Sequence, residues 1–245
     1  MAHLVIIAAH LATNLTNVTF MTFVPHKKKP LLARILEWLN EPEEWPAWVQ
    51  FVLLPQPLGR NNFFAARVVL LFAMAFFTLQ AFAGGYESWI AQFLHNLNLP
   101  VHETGHIVFR IFGSEVITSL GGSLFQTIMP LVFCFALWIK PRDLFGASVA
   151  LWWAFENLID VAPYIEDALP MKLMLISGGT GAEAPYGFHD WNFILSETGL
   201  LLKCDEIASA VYAVGYIGMA LCVVWGAWSL IYYFVFQRQN SGLLD

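Results

Sequence analysis

Long apolar stretches alternate with short polar segments along most of the chain. Four of these stretches carry almost no charge, and they lie at residues 63–83, 123–139, 144–159 and 207–236. A helix of about 20 residues crosses the hydrocarbon core of a bilayer. Arg67 lies near the start of the first stretch, where its side chain can reach the membrane surface. The pattern therefore predicts four transmembrane helices, the last of them tilted or extending beyond the membrane.

Two segments between the first and second spans have an amphipathic pattern instead. Residues 86–98 place apolar side chains at helical spacing, which predicts a short helix. Pro100 suits the first turn of a helix, so we predict a separate second helix over 100–112. This helix carries the HETGH segment, His102-Glu103-Thr104-Gly105-His106. Because it is too short to span a bilayer, we expect it to be partly embedded. Residues 162–203 are more polar, and their Gly and Pro residues predict a loop.

The pattern divides the chain into two parts. Residues 1–60 are predicted to form an N-terminal interfacial or cytoplasmic segment, in which the apolar residues 1–24 are interrupted by Asn and Thr. Residues 61–245 are predicted to form the membrane-embedded catalytic domain. The fold class that follows is an all-α, polytopic helical bundle.

Composition supports the same environment. Hydrophobic residues make up 58% of the chain and charged residues 12%, whereas soluble domains have about 25% charged residues. The lipid bilayer is therefore the expected partner. The net charge is −6 and the basic residues are scattered, which argues against nucleic acid as a partner. The 3 cysteines lie in or beside apolar runs, as buried thiols do.

The basic residues also predict an orientation, because Lys and Arg concentrate on the cytoplasmic side of spans. Eight of them lie before the first span, in the link between the second and third spans, or after the last span: Lys27, Lys28, Lys29, Arg34, Arg60, Lys140, Arg142 and Arg238. We therefore expect both termini in the cytoplasm. The HETGH segment, the end of the third span and the loop 162–203 are then expected towards the outer face.

The HETGH segment predicts a metal site. Residues four apart share one face of a helix, so His102 and His106 can bind one ion through their imidazoles. Glu103 lies beside that ion and would accept a proton from a metal-activated water. Gly105 leaves one flank of the helix bare for a substrate or another helix. We expect one zinc ion per chain at this place.

Catalytic zinc usually takes three protein ligands, so a third is needed. Four candidates are expected on the same side of the membrane: His189, Glu156, Asp160 and Asp190. His189 is the preferred choice because imidazole is a common zinc ligand. The remaining candidates would orient the ligating histidines from outside. Gly121, Gly122 and Gln126 are interpreted as either lining a substrate groove or permitting a tight turn.

With HETGH in a hydrophobic chain and an acidic pair on a later span, residues 100–160 resemble the membrane-embedded zinc metalloproteases of the site-2 protease type. The resemblance implies that His102 and His106 are ligands, that Glu103 is the general base, and that Asp160 is the third ligand. In that family the Asp is followed by Gly, whereas Val161 follows Asp160 here. The third ligand therefore stays open at this point.

Three functional hypotheses follow from these patterns. The leading one is a membrane-integral zinc metallopeptidase that cleaves a membrane-associated peptide. The second is a di-metal oxidase or a lipid hydrolase, with two metals held by the same histidines and carboxylates. The third is a non-catalytic subunit of a larger membrane complex, with a structural metal or none.

Overall fold

A computed structural model of the chain describes residues 41–55, 63–84, 89–176 and 178–237. The chain forms two compact units, Met1–Trp45 and Pro46–Asp245. In the first unit the described part holds one 3-10 turn, Pro42–Glu44. The predicted interfacial segment 1–24 lies outside the described residues. So do several basic residues that carry the orientation argument: Lys27, Lys28, Lys29, Arg34, Arg60 and Arg238.

Helices form nearly all of the described part of the second unit. The helices are α1 (Ala47–Leu53), α2 (Phe64–Gly84), α3 (Trp89–Phe109), α4 (Glu115–Ile139), α5 (Leu144–Glu166), α6 (Asp190–Glu197) and α7 (Cys204–Tyr232). Short 3-10 turns, Arg110–Phe112 and Leu201–Lys203, follow α3 and precede α7. Across the described ranges there is no β-strand beyond one isolated bridge between Met174 and Thr180. The predicted all-α class is confirmed.

The four predicted spans are also confirmed, because α2, α4, α5 and α7 are long and apolar enough to cross a membrane. Two of them extend further than their apolar stretches. Ser114 caps the start of α4 by accepting a hydrogen bond from the Ile117 N–H, and α5 continues through Pro163 to Glu166. Hydropathy averages over a window of residues, so the less apolar ends of these helices, residues 115–122 and 160–166, were left out of the predicted spans.

The predicted helix break at Pro100 is wrong. Proline removes a backbone donor and normally interrupts a helix, yet α3 runs without a break from Trp89 to Phe109. The neighbouring Asn98 is buried, and its side chain is bonded to Glu156 on α5. Membrane helices tolerate an internal proline when neighbouring helices hold the backbone in place. The polar residues of α3 keep it outside the set of four apolar spans.

Helix α5 is the central helix of the bundle. It packs against α4 on one side and α7 on the other, while α3 packs on α4 and α2 on α7. Two-thirds of the apolar window of α5 is buried (67%), but only 6% of that of α2. The exposed side chains of α2, such as Phe72 and Leu79, form a surface suited to lipid.

Small residues bring α3 and α4 close together. A Cβ atom added to Gly105 would collide with the carbonyl of Gly121, and one added to Gly121 would collide with Phe109. This small-residue contact is common between membrane helices. Of the two predicted uses of the bare flank at Gly105, the structure shows the approach of another helix. Gly121 and Gly122 lie inside α4, so the predicted tight turn is wrong.

The end of the bundle that carries the α4–α5 link is held by specific polar contacts. Arg67 on α2 makes two hydrogen bonds to Asp143, at 2.7 and 2.9 Å, and Asp143 also caps α5 at the Gly146 N–H. The last carbonyls of α1 accept hydrogen bonds from three indole N–H groups and one guanidinium: Trp138, Trp225, Trp228 and Arg142. These donors satisfy the carbonyls that a helix end leaves unpaired.

Candidate metal centre

The two histidines of the HETGH segment converge on one carboxylate. Helix α3 places the His102 and His106 rings 4.7 Å apart, centroid to centroid. Their Nε2 atoms lie 3.3 and 3.2 Å from the same oxygen of Asp190, Oδ2. All three groups offer a ligand atom within 4.8 Å of the others. Within the described ranges, no other group of three or more His, Cys, Asp or Glu side chains has this geometry.

The outer nitrogens of both rings are bonded to α4. The Nδ1 atom of His106 lies 2.9 Å from the carbonyl oxygen of Thr118, and that of His102 lies 2.7 Å from Oε1 of Gln126. A carbonyl oxygen only accepts hydrogen bonds, so Nδ1 of each ring carries the proton. Nε2 of each ring then faces Asp190, and it offers a lone pair whenever the ring is neutral. Metal-ligating histidines are oriented in this way by carbonyl and carboxylate partners.

The sequence of α4 leaves space for one of the imidazoles. A Cβ atom on Gly122 would stand 2.5 Å from Nε2 of His102. Any larger residue at this position would therefore displace the ring. Gly122 leaves space for the His102 ring, and Gln126, four positions further along α4, bonds to it. Gln126 also lines the cavity of the site, as the groove interpretation expected.

The preferred third ligand, His189, is not in the cluster, and Asp190 takes that place. His189 is the N-cap of α6: its Nδ1 accepts a hydrogen bond from the Asn192 N–H. Its Nε2 lies 3.3 Å from Asp167, whose carboxylate also accepts two backbone N–H groups of the loop. Both ring nitrogens are thus engaged away from His102. The imidazole anchors the start of α6 and thereby holds the adjacent Asp190 towards the histidines.

Asp160 and Glu156, the other two candidates, lie behind the cluster rather than in it. Both are buried on α5. Asp160 accepts hydrogen bonds from Nε2 of Gln126 and Nδ2 of Asn98, at 3.2 and 3.3 Å. Asn98 also donates to Glu156 at 2.9 Å. One buried network therefore connects the carboxylates of α5 to the ring of His102.

His95 belongs to this network as well, although its position in the sequence gave no indication of a role. Its Nδ1 lies 2.8 Å from Asp160, and Tyr164 approaches its Nε2 at 3.3 Å. Two turns of helix separate His95 from His102 on α3. The periodicity of α3 would have revealed the shared face if the chain had been read as one helix through Pro100.

The electrostatics of the cluster favour a cation between the ligand atoms. Burial acts to raise the pKa of Asp190, but hydrogen bonds and charges from His102 and His106 hold it below its usual range. Burial acts to lower the pKa of His106, yet the hydrogen bond and charge of Asp190 and the acceptor at Thr118 raise it to about 9. A proton on His106 or a metal ion between the ligand atoms would balance the same negative charge, that of Asp190. Two imidazoles and one carboxylate are also a common donor set for catalytic zinc.

Glu103 and the cluster share one cavity of about 570 Å³. The half-buried side chain of Glu103 lines it together with the three cluster residues. Arg110, at the end of α3, adds a positive charge to the lining. The loop before α6 adds apolar side chains to the lining, those of the exposed residues Met174, Ile176 and Phe188. The cavity thus has both polar and apolar lining residues.

The chain was compared with known families, curated proteins and solved structures. No family model, no curated protein and no solved structure matches it. The resemblance to site-2 proteases consequently rests on the HETGH segment and the acidic residues of α5.

Proposed function

We propose that the protein is a membrane-integral zinc metallopeptidase that binds one zinc ion through His102, His106 and Asp190. The observation that supports this proposal is the convergence of two Nε2 atoms on one carboxylate oxygen, with both Nδ1 atoms held by acceptors on α4. Zinc bound by such a set lowers the pKa of water to about 7 and polarises carbonyl groups. The substrate is a membrane-associated peptide.

Glu103 is the proposed general base. Its side chain lines the cavity beside the cluster, where it can take a proton from the attacking water and give it to the departing amine. The water oxygen bonds to the carbonyl carbon, the carbon–nitrogen bond breaks, and the amine leaves with the transferred proton. Asp190 and the two histidines keep their positions throughout, because α4 and the α6 N-cap hold them.

Two observations favour a single catalytic metal over the other hypotheses. A second metal would need Glu156 and Asp160, but the side chains of Asn98, Gln126 and His95 already bond to these carboxylates. A structural zinc is normally enclosed by four protein ligands. The present centre offers three and opens onto a cavity. The open side leaves room for water and a substrate.

The test is metal content and hydrolysis on detergent-purified protein. We expect about one zinc per chain in the wild type by elemental mass spectrometry, and loss of zinc in His106→Ala and Asp190→Ala. Glu103→Gln should keep its zinc and lose at least about 100-fold of the cleavage rate of fluorogenic transmembrane peptides. Two irons per chain would favour an oxidase. Full zinc with no effect of Glu103→Gln on any activity would favour a non-catalytic subunit.

A further inference from the structure

Gln126 joins the metal centre to a buried carboxylate on another helix. Its side chain is 2% exposed and bonds at both ends, through Oε1 to Nδ1 of His102 and through Nε2 to Oδ2 of Asp160. Helix α3 supplies the histidine, α4 the amide and α5 the carboxylate. The connection therefore depends on the packing of three helices.

The direction of the Gln126 amide is fixed by its surroundings. Two amide groups donate to the carboxylate of Asp160, those of Gln126 and Asn98, and Nδ1 of His95 lies 2.8 Å from its other oxygen. A carboxylate oxygen accepts hydrogen bonds, and the NH₂ end of Gln126 faces it. The amide oxygen then faces His102 and accepts the Nδ1 proton. The carboxylate thus selects the imidazole tautomer from a distance.

Asn98 supports this arrangement independently. The indole N–H of Trp153 donates to Oδ1 of Asn98 at 2.9 Å, and an indole N–H is only a donor. The NH₂ group of Asn98 must therefore face the carboxylates of α5, as its hydrogen bonds to Asp160 and Glu156 require. The orientations of two separate amides, Gln126 and Asn98, are consequently both those expected if Asp160 accepts hydrogen bonds.

We infer that Asp160 is a positioning residue: through the amide of Gln126, it holds His102 in the tautomer that presents Nε2 to the metal. This inference rests on the proposed zinc site. This role differs from direct ligation of the metal, which is the role that the family resemblance implied for Asp160. His106 needs no such support, because a backbone carbonyl at Thr118 fixes its tautomer. The two histidines therefore respond differently to substitutions on α5.

The experiment compares zinc affinities of the metal-free protein by competition with a chromophoric chelator. In Asp160→Asn the new amide can donate or accept, so Gln126 is free to turn its NH₂ group towards His102. We expect zinc affinity to fall by about 10–100-fold, as for other partners of metal-bound histidines. Glu156→Gln is the matched control. It removes a buried carboxylate one turn away on α5 that has no bond to Gln126, and its affinity should stay within about threefold of wild type.

Two further measurements separate positioning from general damage. Nitrogen-15 NMR of zinc-loaded, histidine-labelled protein should show both HETGH histidines protonated at Nδ1 in the wild type. In Asp160→Asn, only the His102 signal of these two should change, while the signal of His95, which contacts Asp160 directly, should change as well. Adding Gln126→Glu to Asp160→Asn should restore affinity, because a carboxylate then accepts directly from Nδ1 of His102.

Each other outcome overturns the inference in a distinguishable way. A wild type that binds no zinc would remove the metal site and this inference together. Equal affinity and equal tautomers in wild type and Asp160→Asn would leave the zinc site standing and remove only the role of Asp160. Zinc that binds Asp160→Asn only at saturating concentration, with one fewer oxygen ligand than in wild type by X-ray absorption, would make Asp160 a ligand.

Discussion

At the scale of single residues, two adjacent glycines on α4 have separate duties. Gly121 permits the close contact between α3 and α4, and Gly122 leaves space for the His102 ring. Glycine inside a helix costs about 1 kcal/mol relative to alanine. Each glycine is therefore retained at the expense of helix stability, and for a different structural reason.

Alanine substitutions should separate the two duties. Gly122→Ala should lower zinc affinity by about tenfold or more, because the added Cβ displaces the His102 imidazole. Gly121→Ala should lower the unfolding temperature in detergent, because its Cβ meets Phe109 and the backbone of α3. Chelator competition and thermal unfolding measure the two effects. An unchanged zinc affinity in Gly122→Ala would contradict the observed ring position.

His189 and Asp190 form a second adjacent pair with distinct tasks. In His189→Asn the new side chain can still cap α6, so zinc affinity should stay within a few-fold of wild type. Asp190→Asn removes the charged ligand and should lower zinc affinity by at least about 100-fold. The same chelator competition measures both variants. A larger loss of zinc affinity in His189→Asn than in Asp190→Asn would indicate that His189, and not Asp190, binds the metal.

The third ligand could not be predicted from the sequence for a related reason. His189 and Asp190 are neighbours at a helix start, and the N-cap and first helical positions point in different directions. The sequence marks the pair as polar, but the direction of each side chain depends on Asp167, more than twenty positions earlier. By contrast, the spacing of His102 and His106 is set within one helix, so their pairing was predictable.

At the scale of elements, the start of α5 depends on an ion pair with α2. Arg67 and Asp143 are 22% and 23% exposed, and Asp143 also caps its own helix. Burial acts to raise the pKa of Asp143, but the hydrogen bonds from Arg67 and the Gly146 N–H hold it below its usual range. A carboxyl group whose pKa is lower in the folded state stabilises that state only while it is ionised.

The resulting prediction concerns how the stability of the folded protein depends on pH. The contribution of Asp143 is fully present above its ordinary pKa near 4, and it is lost as pH falls through its lower folded-state pKa. Asp143→Asn keeps the cap and removes the charge, so it should cost about 1 kcal/mol at neutral pH. Between pH 6 and pH 3 the unfolding temperature of the variant should fall by less than that of wild type. Parallel pH curves for the two proteins would contradict this role.

At the same scale, the four spans were predicted correctly from the sequence and helix α3 was not, and both results have physical reasons. The four spans were predictable because hydropathy is summed over some twenty residues, and no single contact changes the sum. Helix α3 was divided in error because Pro100 is a strong local signal. The contacts that override it join Asn98 to Glu156 and Trp153, which are distant in the sequence.

At the scale of the whole molecule, the bundle has two chemically different ends. Lys140 and Arg142 lie in the α4–α5 link, beside the ion pair of Arg67. The metal centre lies near the opposite ends of α4 and α5, where Thr118 supports His106. The distribution of basic residues therefore predicts that the centre faces away from the cytoplasm.

Cysteine labelling in intact cells tests this orientation. The 3 native cysteines are buried, so they should contribute little background. A membrane-impermeant maleimide should label Ala182→Cys, in the loop before α6, without permeabilisation. It should label Lys140→Cys only after permeabilisation. The reverse pattern would place the centre on the cytoplasmic side, and labelling of both from one side would contradict the helix arrangement.

The centre draws its groups from four helices, with the proposed ligands on α3 and α6 and the residues that hold them on α4 and α5. An unfolded or separated set of helices could not reproduce this set, so an ion bound here would bind the assembled bundle almost exclusively. Mass action then adds about 2.7 kcal/mol to folding when free metal exceeds its dissociation constant 100-fold. The ion would thus stabilise the assembled membrane bundle in addition to serving its chemistry. The supply of metal would then govern how much folded protein the membrane retains.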